Sequence, residues 1–389
     1  MKIENQQKEK NIQFILAGVI LSSLSLGLTE TILPLYADSV NVPLAQMGFI
    51  FAFSPLISSF FQFFMSSLSD KYGRKAILLA NRVSSAFTIG LTPLATRTVS
   101  LTALRFLDSI SARVIVSPLR YENSEGEKRI RFLSIERSLS TVVMAGAMII
   151  SGYLLMNFNF LFVFAMASLM QVISFLLASR IKETFFLKKP KTFRTIMTEI
   201  FSVREIKTDV RRISASQFFV TLAMSFGEGF ILILFLNNVL KAPPLIIGLT
   251  RAGAYVLYAV PTLFFSKLVL SWMRTWSNSK VYAASFIIAS IFMFLIGHSF
   301  DPFHVFIFYS LFGIVRGFAI LPQMAFMSSN SEGMVGKSFG LFRLVGSIGS
   351  LLGGLVAPVM ASIYGFRLLF TISAFLNIIT IIPIIIKHR

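Results

Sequence analysis

The sequence predicts an all-α integral membrane protein of twelve transmembrane helices in two pseudo-symmetric six-helix bundles. Three observations carry that prediction. First, 55% of the 389 residues are hydrophobic and only 14% are charged. The mean hydropathy is +0.76, far above that of a water-soluble domain. Second, the apolar residues fall in runs of about 20 separated by mostly short polar turns, the length a helix needs to cross hydrocarbon. Third, of the 36 Lys and Arg, 28 lie at the two termini or in alternate turns, those after segments 2, 4, 6, 8 and 10. Only Arg97, Lys241 and Arg367 lie in the remaining turns, and five are inside apolar runs. That bias follows the positive-inside rule, so the chain is expected in the cytoplasmic membrane, multi-pass, with both termini cytoplasmic. The net charge of +19 is thereby accounted for without nucleic acid, since the charges form no stripe on a soluble domain.

Taken in order, the chain opens on MKIENQQKEKN, polar and Lys-containing, before an apolar run with no small-residue cleavage site. The run reads as a spanning helix rather than a signal peptide. The twelve segments extend from about 12 to 36, 44 to 66, 76 to 95, 99 to 118, 133 to 156, 160 to 180, 213 to 238, 244 to 266, 280 to 298, 303 to 325, 337 to 361 and 366 to 386. Residues 1–180 are expected to form one bundle and 213–389 the other. Between them 181–212 is basic and half-amphipathic, and reads as a cytoplasmic linker with surface helices. On segment 11, Gly346, Gly349, Gly353 and Gly354 form a small-residue face, and Gly146 with Gly152 forms a thinner one on segment 5. Both suit close helix packing.

The halves repeat one another. Adding 200 takes Pro43, Gly48, Ser66, Leu68 and Arg74 to Pro243, Gly248, Ser266, Leu268 and Arg274. Adding 207 takes Asn123-Ser124-Glu125-Gly126 to Asn330-Ser331-Glu332-Gly333. Self-similarity at a fixed offset is the mark of a duplicated unit.

The turn after segment 2, Ser66 to Lys75, reads SSLSDKYGRK. Its charges hold it in water, and Gly73 suits a position of positive φ. The spacing Asp70, Lys71, Gly73, Arg74, Lys75 resembles the loop signature of the major facilitator superfamily, G-x-x-x-D-R/K-x-G-R-R/K, with Ser66 in place of the first glycine. The run on segment 4 through Arg105, Asp108, Ser109, Ser111 and Ala112 resembles that family's R-x-x-x-G-x-G-A motif, with serine at both glycine positions. The Gly-Pro mark of its drug and proton antiporters is absent from segment 5, where Ala147 follows Gly146. The resemblance implies two six-helix repeats with a substrate path between them near the bilayer midplane. It also implies a cytoplasmic gate at Asp70, Lys71, Gly73, Arg74 and Lys75, and a proton-coupling role for Arg105.

An ionisable residue inside an apolar helix is costly unless it is paired or faces water, so each one is a functional candidate. Glu30 lies on segment 1, Asp108 and Arg113 on segment 4, Glu228 on segment 7 and Arg316 on segment 10. The resemblance implies that these four helices line the central cavity. Gln217, Thr221, Met224 and Ser225 share a helix face with Glu228, a polar stripe that suggests a wet surface. Tyr309, Gly313 and Gln323 share one with Arg316. Glu228, Glu30, Asp108 and Arg105 are therefore the expected proton-coupling residues. Arg113, Arg316, Gln217, Thr221, Tyr309 and Gln323 are the expected cavity residues. Each acid has an alternative as the structural partner of an arginine. Arg82 and Arg251, nearer helix ends, are expected to snorkel to the interface.

Function follows by class. The chain has no cysteine and no metal-ligand cluster, nucleophile elbow or phosphate-binding loop, so neither an enzyme, a cofactor nor a metal is expected. ATP is not an energy source on this chain. The leading expectation is a monomeric secondary transporter working by alternating access: proton-coupled efflux of small hydrophobic or amphiphilic compounds. Its partners are a small-molecule substrate, protons and the lipid bilayer. The runner-up is proton-coupled uptake of a small organic anion or metabolite. A lipid-modifying enzyme would need a constellation at one interface, whereas these charges lie mid-helix. A transporter-like sensor would not need both a loop signature and midplane charges.

Overall fold

Hydrocarbon offers no partner to an open backbone N–H or C=O, and a helix pairs each of them within its own segment. The computed structural model describes residues 2–111, 126–182, 207–264, 271, 278–330 and 335–385, and among these it contains helices and short turns with no strand. Eleven of the described helical stretches are long and apolar enough to cross a bilayer. The remaining expected span, 99–118, is described as α4 over Thr98–Ser111, and the rest of it lies outside the described residues. So does most of the expected linker.

The helices fall into two compact units, one of Met1–Val40 with Ile57–Ile196 and one of Asn41–Leu56 with Met197–Arg389. The division cuts α2 (Leu44–Tyr72) one residue beyond Pro55, whose missing N–H loosens the helix there. In the first unit α1 (Lys2–Ser39) packs against α5 (Gly126–Asn157) and α6 (Phe160–Ser179), while α3 (Arg74–Leu91) packs against α6 and α4. Gly27 makes the α1–α5 approach possible, because a Cβ there would meet the Met144 backbone and stand 2.7 Å from the Ala147 Cβ. Ser23 and Ser140 hydrogen-bond across the same seam. The expected close contact at Gly146 is not made: its Cβ direction is open, and the crossing sits one residue on, at Ala147. At the other end of α1, Asn11 exchanges two hydrogen bonds with the Lys182 backbone, of 3.0 and 3.1 Å.

In the second unit α7 (Thr208–Gly227) packs against α11 (Val335–Tyr364) and α12 (Phe366–Ile379). There α10 (Pro302–Asn330) packs against α8 (Pro244–Phe264) and α9 (Asn278–Gly297). The glycine face of α11 performs as expected. A Cβ on Gly349 would meet the Phe218 backbone, one on Gly353 would stand 2.7 Å from the Ser225 Cβ, and one on Gly354 would stand 2.6 Å from the Ala52 Cβ. Gly48, on the part of α2 that belongs to this unit, lies against Gly354 and Pro358.

The repeat is visible in the turns. Asn41 and Lys241, 200 residues apart, both hold positive φ, at 56° and 52°. Two residues on, the Pro43 carbonyl accepts from the amides of Gln46 and Met47, and the Pro243 carbonyl accepts from Ile246 and Ile247. Large apolar side chains such as Phe87, Leu176, Ile291 and Phe375 stand exposed, as side chains facing lipid do.

Candidate functional site

The expected helix over 213–238 is interrupted at Glu228. The helix α7 ends at Gly227, Glu228 takes an extended backbone with φ −127° and ψ −167°, and Gly229 holds φ +60°. A short helical stretch, Gly229–Leu234, and a π turn, Phe235–Val239, complete the span. Both glycines suit the break. Gly229 occupies a conformation that side-chain-bearing residues rarely adopt, and a Cβ on Gly227 would stand 2.7 Å from the Ser373 hydroxyl and 3.0 Å from the Met293 sulfur. The Ser373 hydroxyl donates to the Ala223 carbonyl at 2.8 Å, which fixes α12 to α7 one turn before the break. The sequence signal for this interruption was the triplet Gly-Glu-Gly inside an otherwise apolar run.

The break presents the Glu228 carboxylate to Arg316 of α10. Arg316 Nη1 donates to Glu228 Oε1 at 2.7 Å, with the two side chains 16% and 13% exposed. Arg316 Nη2 points at the Met224 sulfur at 3.1 Å, and its guanidinium lies 5.5 Å from the centre of the Phe312 ring. A second arginine stands behind the first. Arg251 of α8, 4% exposed, donates from Nη1 to the Tyr309 hydroxyl at 3.2 Å. The Tyr309 and Phe312 rings stack at 5.7 Å. Arg251 therefore does not snorkel, contrary to expectation: a hydroxyl on a neighbouring helix holds it in the interior. The same is true of Arg82, buried on α3, whose Nη1 donates to Gln171 Oε1 at 3.3 Å.

The polar stripe of α7 is a seam more than a wet surface. Thr221 and Ser225 donate to the Gly346 and Ser350 carbonyls of α11 at 2.6 and 3.2 Å. Gln323 Nε2 donates to Gln217 Oε1 at 2.7 Å, tying α10 to α7. Gly313, on the Arg316 face, is occupied with packing, since a Cβ there would meet the Ala254 backbone. The structure thus brings Glu228, Arg316, Tyr309, Gln217, Gln323 and Thr221 into one unit, and adds Arg251 and Met224.

In the first unit Arg105 Nη1 donates to Asp108 Oδ2 at 3.1 Å along α4, and the Thr88 hydroxyl of α3 donates to Asp108 Oδ1 at 3.4 Å. Glu30 is half-buried on α1. Of the loop signature, Gly73 has φ 90° and begins α3, and Lys75 Nζ donates to the Ser179 carbonyl at the end of α6 at 2.8 Å. Arg74 is half-buried at the first position of α3. The Asp70 and Lys71 side chains, and Arg113, lie outside the described residues.

Apolar helices of membrane length define a multi-pass membrane protein, and the mid-helix charge cluster is its candidate site. The chain belongs to the Major Facilitator Superfamily, whose model matches residues 15–253, and it is a transporter and not an enzyme. Multidrug resistance protein MdtG of Salmonella typhi and that of Salmonella paratyphi C are each 23% identical over 389 residues, spanning 94% of this chain and 92% of theirs. Among solved structures, the nucleoside transporter NupG superposes with a TM-score of 0.76 at 15% identity, covering 97% of this chain and 100% of that one. The human organic anion transporter MFSD10 (TETRAN) gives 0.66 at 15% identity over 97% and 99%. A bacterial homolog of the human lysosomal transporter Spinster gives 0.71 at 12% identity over 97% and 95%. At such identities the structures speak to the fold alone.

Proposed function

We propose that this transporter is a proton-coupled secondary carrier of the cell membrane that works by alternating access and expels small hydrophobic or amphiphilic compounds, with Glu228 carrying the proton. The observation behind the proposal is the Glu228–Arg316 pair, which joins two helices at a point where one is already broken. Such a carboxylate has two arrangements, ionised on Arg316 or protonated and released, and each favours a different state of the helices. Likeness to MdtG along 94% of the chain supports outward transport. The distribution of Lys and Arg supports a cytoplasmic location for both termini. Labelling of a cysteine at position 202 by an impermeant thiol reagent in sealed cells would overturn that orientation.

A second reading, proton-coupled uptake of a small organic anion, is favoured by the two interior arginines of the second unit, Arg316 and Arg251.

The test of the proton role is Glu228→Gln in proteoliposomes. Glutamine keeps the shape and the hydrogen bond to Arg316 but fixes the neutral state. Substrate binding and gradient-free exchange should persist while accumulation driven by a pH difference stops. A well-folded variant with undiminished pH-driven transport would remove Glu228 from the mechanism and leave Asp108 and Glu30 as candidates.

A further inference from the structure

Two side-chain rungs join α7 to α10. One is the ion pair of Glu228 with Arg316, and the other is the amide pair of Gln217 with Gln323, three turns earlier on α7 and two turns later on α10. At about 1.5 Å per residue the rungs lie about 10 to 16 Å apart along the helices, too far to hold one small polar group between them. Gln323 is 7% exposed and Gln217 is half-buried, so an amide edge left unbonded here is costly.

Two primary amides that meet as a closed pair exchange two hydrogen bonds. These exchange one: Gln323 Nε2 donates to Gln217 Oε1 at 2.7 Å. Among the described residues the complementary atoms, Gln217 Nε2 and Gln323 Oε1, hold no hydrogen bond, and neither is one of the unpartnered atoms sealed from solvent. One donor and one acceptor are therefore left at an accessible edge. Thr221, one turn on from Gln217, is turned away from that edge, since its hydroxyl donates to the Gly346 carbonyl of α11 at 2.6 Å. Gly346 leaves room for the Gln217 amide, because a Cβ there would stand 3.1 Å from Gln217 Cγ and 3.4 Å from Nε2. Between the two rungs, Val220 and Ala319 belong to a buried apolar cluster against which the partly buried Met224 packs. A neutral polar edge thus adjoins an apolar wall.

We infer that the Gln217–Gln323 pair is a subsite for a neutral group that carries a donor and an acceptor side by side, as a lactam, a cyclic imide or a cyclic urea does. The carbonyl of that group accepts from Gln217 Nε2, its N–H donates to Gln323 Oε1, and its apolar body lies against Met224. Seating it asks for rotation of two neutral amides joined by a single bond and strands no charge, whereas a cargo that opened the Glu228–Arg316 rung would strand one. The inference rests on the first reading above, a carrier of small amphiphilic compounds, and names the polar group of that cargo.

The test uses three neutral bicycles of one shape, 1(2H)-isoquinolinone, its N-methyl derivative and isocoumarin, binding at equilibrium to the full chain in lipid nanodiscs. All three have the carbonyl, and the first alone has an N–H beside it. The isoquinolinone should bind about tenfold tighter than either of the others, the worth of one hydrogen bond whose loss leaves a buried acceptor unpaired. The double variant Gln217→Met, Gln323→Met replaces both amides by unbranched apolar chains and should bind the three probes alike. Where it fails to fold, Gln323→Met alone takes its place and should also erase the preference, because the N–H then has no acceptor. Equal binding of the three probes, preference for a probe lacking the N–H, no binding by any up to its solubility, or a preference that survives in the folded variant would each overturn the inference. Binding is measured without a gradient, so an intact preference with no pH-driven transport would sink the proton-coupled reading alone. Equal probe binding beside pH-driven export of other amphiphiles would sink the inference alone.

Discussion

The two repeats begin on helices 200 residues apart in register and put charge to different use. In the first unit α1 runs unbroken from Lys2 to Ser39 with Glu30 on its length, and one ion pair described there, Arg105 with Asp108, lies within a single helix, with side chains 31% and 22% exposed. In the second unit α7 carries a within-helix pair of its own, Arg212 with Asp209, but the span is interrupted at Glu228, and that acid pairs with an arginine of another helix at half the exposure of the Arg105–Asp108 pair. A pair three residues apart on one helix survives any rigid movement of that helix, so it stores nothing that such a movement would release. A pair between two helices changes when either moves. The contrast is why Glu228, and not Asp108, is the acid placed at the centre of the proposed coupling.

The largest effect should follow from removing the cation of the interhelical pair. Arg316→Gln leaves the Glu228 carboxylate in the interior without its direct partner, at a cost of about 3 to 5 kcal/mol. Thermal unfolding in detergent should show an early melt, with partial rescue when Glu228→Gln is added to the same chain. Strict additivity of the two changes would mean that the pair is not coupled.

A second comparison sets Gly27 against Gly227, the matching glycines of the two repeats. The Cβ of Gly27→Ala would run into the Met144 backbone, which is rigid, whereas that of Gly227→Ala would meet a serine hydroxyl and a methionine sulfur, which move. Gly27→Ala should cost about 1 to 3 kcal/mol, as overpacking does, and Gly227→Ala less. The reverse order in a denaturation series would place the tighter helix crossing in the second unit.

The spans, the repeat, the glycine face of α11 and the interior charges were all legible, because they rest on hydropathy, period and residue type. What was not legible depends on partners brought from elsewhere in the chain. Arg251 read as a snorkelling residue because its sequence neighbours do not reveal Tyr309, 58 positions on. Thr221 and Ser225 read as wet because a hydroxyl facing water and one facing a carbonyl of α11 look alike in one helix. The first part of α2, up to Leu56, read as part of the first bundle because chain order says so, while its contacts at Gly48 and Ala52 go with the second unit. The Gly-Glu-Gly break was present in the letters, but an apolar run of spanning length outweighs two glycines when hydropathy is the guide.

The smallest effect belongs to the pair within α4. Asp108→Asn keeps one acceptor oxygen for Arg105 and can donate its amide to the Thr88 hydroxyl, and the lost charge lay partly exposed with its partner one turn away. Pairs of this kind contribute about 0.2 to 1 kcal/mol. The asparagine variant should therefore melt close to the parent, and by the comparison drawn here it should also keep pH-driven transport. The measurement is the same proteoliposome assay applied to Glu228→Gln. Loss of coupling in Asp108→Asn with a normal melt, alongside normal coupling in Glu228→Gln, would invert the assignment: the exposed pair would then carry the proton, and the buried pair of the second unit would be a structural clasp between α7 and α10.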